Sequence, residues 1–165
     1  MTKVRILRHS PISWVRNTPC TLQNAEKLNR NTWYETIELY PIDEAAISEL
    51  SDDLLFRKIH DASWEQPIEI ATRFVLFKRF EDVLLSDFQR KFDVVYFDAF
   101  SPAVQPEMWR HDVFAKLFET MNHGAVLTTY CAKGEVRRTM QSVGLKVERL
   151  PGAASKREML RALKY

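Results

Sequence analysis

The sequence predicts a single α/β domain built on a mostly parallel sheet, and three observations carry this prediction. The 165 residues fit one domain of ordinary size, in which candidate strands alternate with candidate helices. One segment, FDVVYFDAF at 92–100, is apolar on both faces, as a central parallel strand covered by helices must be. The last two candidate strands are joined by a short loop, so we expect them to pair antiparallel.

The first third of the chain contains two candidate strands and two candidate helices. KVRIL near the start is a candidate edge strand or first strand, although it is short and basic for a buried central position. TLQNAEKLNRN has helical spacing, and WYETIEL reads as a strand that ends near Glu38. Pro41 suits the start of the next helix, which we expect to fray between Leu55 and Asp61. The apolar face of that helix consists of Ala46, Ile47, Leu50, Leu54 and Leu55.

The remaining segments continue the alternation. IEIATRFVLFKRF predicts one strand, and EDVLLSDFQRK a short helix or turn before the central strand. PEMWRHDVFAKLFETMNHG predicts a helix with Gly124 at its C-terminal cap, and AVLTTYC a buried strand. KGEVRRTMQSVG predicts a helix closed by Gly144, and LKVERL and EMLRALK predict the final strands.

Composition excludes several classes of protein. Hydrophobic residues make up 45% and charged residues 28%, which is typical of globular domains rather than disordered chains. No apolar run approaches the ~18 residues that a membrane helix needs. The two cysteines form no disulfide framework, and the four histidines show no metal-ligand spacing, so we expect an intracellular, cytoplasmic protein without a metal site.

Glycine is scarce and unevenly placed. The chain has 4 glycines, where average usage would give roughly 12. All of them lie in the last quarter, from Gly124 to Gly152. Nothing upstream can therefore form a glycine-rich phosphate or nucleotide loop.

Two carboxylates and a basic segment are the candidate functional features. Ligands of open α/β sheets bind at the carboxyl ends of the strands, where Glu38 and Asp98 stand. Acids at these positions also cap following helices, and that alternative stays open. From Lys133 onward the chain has nine basic and three acidic residues, which is compatible with either a polyanionic partner such as RNA or a solvated surface.

Several separated motifs carry a family resemblance over roughly residues 20–165. They are IELYP at 37–41, DAFSP at 98–102, TYCAKG at 129–134 and GAASKREM at 152–159. Their order resembles the MnmC-like methyltransferase family, which modifies the wobble uridine of tRNA. The resemblance implies the class I (Rossmann-like) methyltransferase sheet of seven strands, of which the last is antiparallel.

The resemblance also implies a reaction and a set of roles. The expected reaction is methyl transfer from S-adenosylmethionine to the primary amine of 5-aminomethyl-2-thiouridine in tRNA. Asp98 is then the catalytic residue beside the amine, and Glu38 holds the cofactor ribose. Phe100, Pro102 and Tyr130 shape the uridine pocket, whereas Lys156 and Arg157 meet the RNA backbone. A flavin-dependent oxidase acting in the same pathway is an implied partner.

The start of the chain departs from the family pattern. Methyltransferases of this class carry a glycine-rich cofactor loop after the first strand, but the segment RHSPISWVRNTPC contains no glycine. We therefore expect residues 1–19 of this single domain to be an atypical segment, with its strand and loop atypical or missing. S-adenosylmethionine binding is then weak or absent.

Three interpretations stay open. The chain is a truncated or frame-shifted version of a competent enzyme, a non-catalytic remnant that binds RNA or a protein partner, or a different α/β binding module whose motifs match for packing reasons.

Overall fold

The structure, a computed structural model, describes residues 1–8, 14–39, 41, 53–152 and 158–165. The strands in this part of the chain are β1 (Thr2–Arg8), β2 (Thr32–Glu38), β3 (Pro67–Ala71), β4 (Phe74–Phe80), β5 (Phe92–Asp98), β6 (Met121–Thr129), β7 (Lys146–Pro151) and β8 (Glu158–Leu163). The helices are α1 (Trp14–Lys27), α2 (Leu54–Asp61), α3 (His111–Thr120) and α4 (Gly134–Ser142), with a 3-10 turn at Pro106–Trp109.

All eight strands form one mixed sheet, in the order β3-β4-β2-β1-β5-β6-β8-β7. The five strands β4, β2, β1, β5 and β6 are parallel to one another, whereas β3 runs antiparallel to β4 and β8 runs antiparallel to both β6 and β7. The predicted α/β class, the parallel centre and the antiparallel final strand are therefore confirmed.

The first strand is present and lies in the middle of the sheet. Leu7 pairs with Ile37 of β2 on one side and with Phe97 of β5 on the other. The backbone N–H of Lys3 donates to Asp93 Oδ2 at 2.8 Å, which fixes the amino end of β1 against β5. The segment KVRIL is thus the first strand, and the possibility that this strand is missing is excluded.

The prediction of one strand over IEIATRFVLFKRF is wrong, because this segment is a hairpin. Strands β3 and β4 pair antiparallel around a turn in which Arg73 has a φ of 69°, in the left-handed region. The Arg73 guanidinium donates to Asn29 after α1, a contact that holds this turn. The extra edge strand gives the sheet eight strands instead of the expected seven.

Helix α2 forms where fraying was expected. The Asp53 side chain accepts the backbone N–H of Phe56 at 2.8 Å and caps the helix, while Phe56 and Ile59 are buried. These contacts stabilise a helix that its sequence alone makes marginal. The rest of the predicted helix, from 42 to 52, lies outside the described residues.

Two further predictions about helix ends have opposite outcomes. Gly124 is not a cap, because α3 ends at Thr120 and Gly124 lies inside β6 with a φ of 79°. Gly144 does close α4, since its N–H donates to Gln141 and the N–H of Leu145 donates to Met140. This pair of bonds is the Schellman arrangement, in which glycine supplies the positive φ of 98°.

Hydrophobic clusters cover both faces of the sheet. The α1/α2 face packs around a cluster that includes Leu22, Tyr34, Ile59, Phe74 and Leu76. The α3/α4 face packs around a larger cluster that includes Val95, Phe97, Phe114, Leu127 and Met140. The central strand β5 contributes to both, as its apolar sequence predicts. No helix in the described part of the chain has the length and apolar character needed to cross a membrane.

Candidate active site

The two predicted carboxylates, Glu38 and Asp98, lie at the carboxyl ends of β2 and β5, on either side of the end of β1. Leu7 pairs with Ile37 and with Phe97, so the next residue of each outer strand, Glu38 or Asp98, flanks the end of β1. Two strand spacings put their Cα atoms roughly 10 Å apart. Both side chains point to the α1/α2 face, because each lies an even number of residues beyond a member of that cluster, Tyr34 or Val94.

Asp98 lies in a pocket of about 150 Å³ at the carboxyl ends of the parallel strands. The pocket is lined by Tyr96, Phe97, Asp98, Thr128, Thr129, Tyr130 and Met159. Asp98 Oδ2 is buried and has no hydrogen-bond partner among the described residues. A buried carboxylate oxygen without a donor is costly, so this atom is suited to accept a hydrogen bond from a ligand.

The loop after Asp98 is anchored at its first residues. Trp109 Nε1 donates to the backbone oxygen of Phe100 at 2.7 Å, and the Trp109 ring meets Phe97 edge-on with centroids 5.0 Å apart. The Phe100 side chain is 41% exposed. Phe100 and Pro102 come shortly after Asp98 in the chain but are not part of the pocket lining. The structure thus brings Asp98 together with Tyr130, and leaves Phe100 and Pro102 in the adjoining loop.

The opposite wall of the pocket comes from β6 and β8. Thr129 is buried at the end of β6, and its hydroxyl accepts the backbone N–H of Cys131 at 3.3 Å. Tyr130 follows and is 41% exposed. Met159 reaches the pocket from β8, so three of the sequence motifs meet at one site. Lys156 and Arg157 lie outside the described residues.

Glu38 is 4% exposed and lies close to a buried lysine that the sequence interpretation missed. Lys78 of β4 is 1% exposed, and its Nζ donates to the backbone oxygen of His60 at 2.6 Å. Burial lowers the pKa of Lys78 from 10.5 to about 8, although the negative charges of Glu38 and Asp61 oppose that shift. The sequence does carry a signal for a buried lysine, because Lys78 follows Phe74 and Leu76 at the alternate positions of β4, which are buried.

The histidines, the cysteines and the charged C-terminal segment add no further site in the described part of the chain. No group of three or more histidine, cysteine or acidic residues there could hold a metal ion. Cys131 is partly buried against the α3/α4 cluster, where it packs as a small hydrophobic residue. The three acids of the basic C-terminal segment each pair with a neighbouring cation, Glu148 with Arg161 for example.

Comparison with known proteins points to one family. The sequence profile of the S-adenosyl-L-methionine-dependent methyltransferases matches residues 46–165. The chain is 34% identical, over 74% of its length, to the tRNA 5-methylaminomethyl-2-thiouridine biosynthesis bifunctional protein MnmC of Ectopseudomonas mendocina. It is 32% identical, over 76% of its length, to the protein of the same name from Nitrosospira multiformis. The chain spans only 18% and 22% of these two relatives.

Solved structures share the fold. The crystal structure of MNMC2 from Aquifex aeolicus superposes with a TM-score of 0.73 over 99% of this chain and 54% of that one, at 22% identity. The glycopeptide N-methyltransferase MtfA, complexed with sinefungin, gives a TM-score of 0.60 over 100% of this chain and 81% of that one, at 15% identity. At these identities the likeness supports the fold alone.

Proposed function

Because the chain belongs to the S-adenosyl-L-methionine-dependent methyltransferase family, we propose that it methylates the primary amine of 5-aminomethyl-2-thiouridine at the wobble position of tRNA. The single observation that carries this proposal is the buried Asp98 Oδ2 at the end of the central strand, which has no hydrogen-bond partner in the described part of the chain. The names of the curated relatives support the choice of substrate.

Asp98 acts on the target amine in this proposal. Its Oδ2 accepts an N–H of the amine, which turns the nitrogen lone pair toward the methyl group that S-adenosylmethionine supplies when bound. The S–CH3 bond of bound S-adenosylmethionine would break as the N–C bond forms, and S-adenosylhomocysteine would leave. The methylated amine would become more acidic, and the Asp98 carboxylate would take or relay the proton that leaves. The enclosing residues Phe97 and Thr129 are both buried and limit water on one side of the carboxylate.

Glu38 holds the cofactor ribose in this proposal. An acid at the end of the second strand accepts hydrogen bonds from ribose hydroxyls in sheets of this kind. The residues after β1 provide no glycine, and Pro11 has no backbone N–H to donate. We therefore expect weak cofactor affinity that depends strongly on Glu38.

The exposed aromatic residues and the basic segment meet the RNA. Phe100 and Tyr130 are each 41% exposed beside the Asp98 pocket, where an aromatic ring can stack on an unpaired base. Pro102 stiffens the turn that carries Phe100. Lys156 and Arg157 contact phosphates, which adds affinity without reading sequence. A flavin-dependent oxidase is the proposed partner in the same pathway.

A second candidate function is a non-catalytic protein that binds RNA or another protein. The absence of glycine before Gly124 is the observation that favours it. The two candidates differ in one respect, since only the first requires methyl transfer that depends on Asp98.

The test compares two aspartates of the same strand. Asp98→Ala should abolish methyl transfer to hypomodified tRNA while S-adenosylhomocysteine affinity and stability stay close to wild type, because Oδ2 loses no partner among the described residues. Asp93→Ala is the matched control, since Asp93 accepts bonds from Lys3 and Asn122 at the other end of β5. It should lower stability and leave turnover of the folded protein intact. Full turnover by Asp98→Ala would remove Asp98 from the proposed role.

A further inference from the structure

Lys78 is an ionisable side chain fully enclosed by the fold, and its nearest partners favour the charged form against the effect of burial. Nζ donates to the backbone oxygen of His60 at 2.6 Å and lies 3.5 Å from that of Ile59. These carbonyls belong to the last turn of α2, whose partial negative charge favours a cation. The Trp64 ring covers Nζ at 4.7 Å from its centroid. Such enclosure costs free energy that a surface lysine does not incur.

The sheet register directs Lys78 toward Glu38. Lys78 pairs with Thr36 on β2, two residues before Glu38, and Glu38 pairs with Phe80. Side chains two residues apart in a strand point to the same face of the sheet. Lys78 and Glu38 therefore share the α1/α2 face on adjacent strands. Glu38 is also the strongest source of electrostatic attraction acting on Lys78, ahead of Asp61.

We propose that Lys78 is a positioning residue for the cofactor, whose ammonium group holds the Glu38 carboxylate at the sheet edge so that the ribose hydroxyls meet a fixed acceptor. The inference rests on the proposed role of Glu38. A carboxylate can accept about four hydrogen bonds, so an attached ammonium group leaves acceptor sites for a diol. The α2 carbonyls hold the ammonium group in turn, and the carboxylate needs little reordering when the ligand arrives.

The next residue of β4 provides a matched control. Arg79 points to the opposite face of the sheet and pairs with Glu35 of β2 at 3.3 Å. Arg79 thus pairs with one buried carboxylate of β2, while Lys78 lies on the face of another, Glu38, which raises its pKa against the effect of burial. Only the partner of Lys78 stands at the carboxyl end of β2, where the ribose is expected.

The first experiment measures recognition of the ribose by calorimetry. S-adenosylhomocysteine and its 2′-deoxyribose analogue are titrated into the wild type, Lys78→Met and Arg79→Met. The wild type should prefer the natural ribose. Lys78→Met should bind S-adenosylhomocysteine about tenfold more weakly, the cost of one charged hydrogen bond, and should bind the two ligands almost equally. Arg79→Met should keep the wild-type preference.

A wild-type preference retained in Lys78→Met would overturn the inference and leave the proposed function standing. Failure of the wild type to bind either ligand would instead overturn the proposed function.

A second measurement needs no ligand. NMR of ¹³C-labelled lysine, with Lys78→Met identifying the signal, follows the titration of Lys78 in the wild type and in Glu38→Gln. Because Glu38 raises the pKa of Lys78 against the effect of burial, Glu38→Gln should lower that pKa further. An unchanged pKa would show that the two groups do not interact and would overturn the inference.

Discussion

The anchor between Trp109 and the loop after Asp98 gives a prediction whose size follows from the contacts. Trp109→Phe keeps an aromatic ring beside Phe97 but removes the Nε1 donor, which lies 2.7 Å from the Phe100 oxygen. The smaller ring also leaves part of a buried site unfilled, since Trp109 is among the buried residues of the α3/α4 cluster. The start of the loop then loses its tie to the core.

Two contributions set the loss of stability. The hydrogen bond contributes about 1 kcal/mol net, and the lost buried surface about 1–2 kcal/mol more. A domain of this size loses about 2–4 °C of Tm per kcal/mol, so we expect Tm to fall by about 4–12 °C. If the proposed function holds, the freed loop must also be ordered when RNA binds, which should raise KM for tRNA by about 2–10-fold and leave kcat nearly unchanged.

Phe114→Leu separates packing from anchoring. Phe114 contacts Phe97 in the same cluster, with centroids 5.2 Å apart, but it does not bond to the loop through its side chain. Differential scanning calorimetry and steady-state kinetics with tRNA should show a comparable fall in Tm for both variants and a higher KM for Trp109→Phe alone. Equal KM values in the two variants would refute the idea that Trp109 positions the loop.

Three further predictions concern the turn after α4, the buried lysine and the basic segment. Gly144→Ala should cost about 1–2 kcal/mol in urea unfolding because φ is positive there, whereas Gly134→Ala, at the start of α4, should cost less than half as much. The free energy of unfolding of the wild type, relative to Lys78→Met, should rise as pH increases from about 8 to 10.5. In that window the unfolded lysine stays protonated while the folded one does not, so the gain approaches about 3 kcal/mol; a flat difference in pH-dependent denaturation would contradict it. Replacing Lys156 and Arg157 together by alanine should weaken tRNA binding and flatten its salt dependence, and unchanged filter binding would leave this segment without a role in RNA binding.

The sequence predicts the centre and the end of the sheet well. The apolar run inside β5, from Val94 to Phe97, predicts a buried parallel strand. The short loop between β7 and β8 allows only antiparallel pairing. The hairpin of β3 and β4 escapes prediction because its turn has no glycine, proline or asparagine. Its strained residue, Arg73, is held by a contact with Asn29, which is distant in sequence.

The candidate site likewise contains residues that the sequence predicts and residues that it does not. The rule that ligands bind at strand ends locates Glu38 and Asp98, because their positions depend only on where two strands stop. Tyr96 and Thr128 of the pocket lie just before the ends of β5 and β6 and pair with each other across these strands. The sequence does not reveal that the two strands are neighbours. Alternation along β4 marks Lys78 as an inward position, but the sequence does not reveal its partners in β2 and α2, which become neighbours only through tertiary packing.

Nucleoside mass spectrometry tests the central claim most directly. Hypomodified tRNA carrying 5-aminomethyl-2-thiouridine is incubated with the protein and with S-adenosylmethionine labelled in its methyl group, and the digested nucleosides are then identified. The proposal predicts the label in 5-methylaminomethyl-2-thiouridine with the wild type and none with Asp98→Ala. Unlabelled nucleosides from wild-type reactions in which tRNA is demonstrably bound would contradict it and favour a non-catalytic RNA-binding protein.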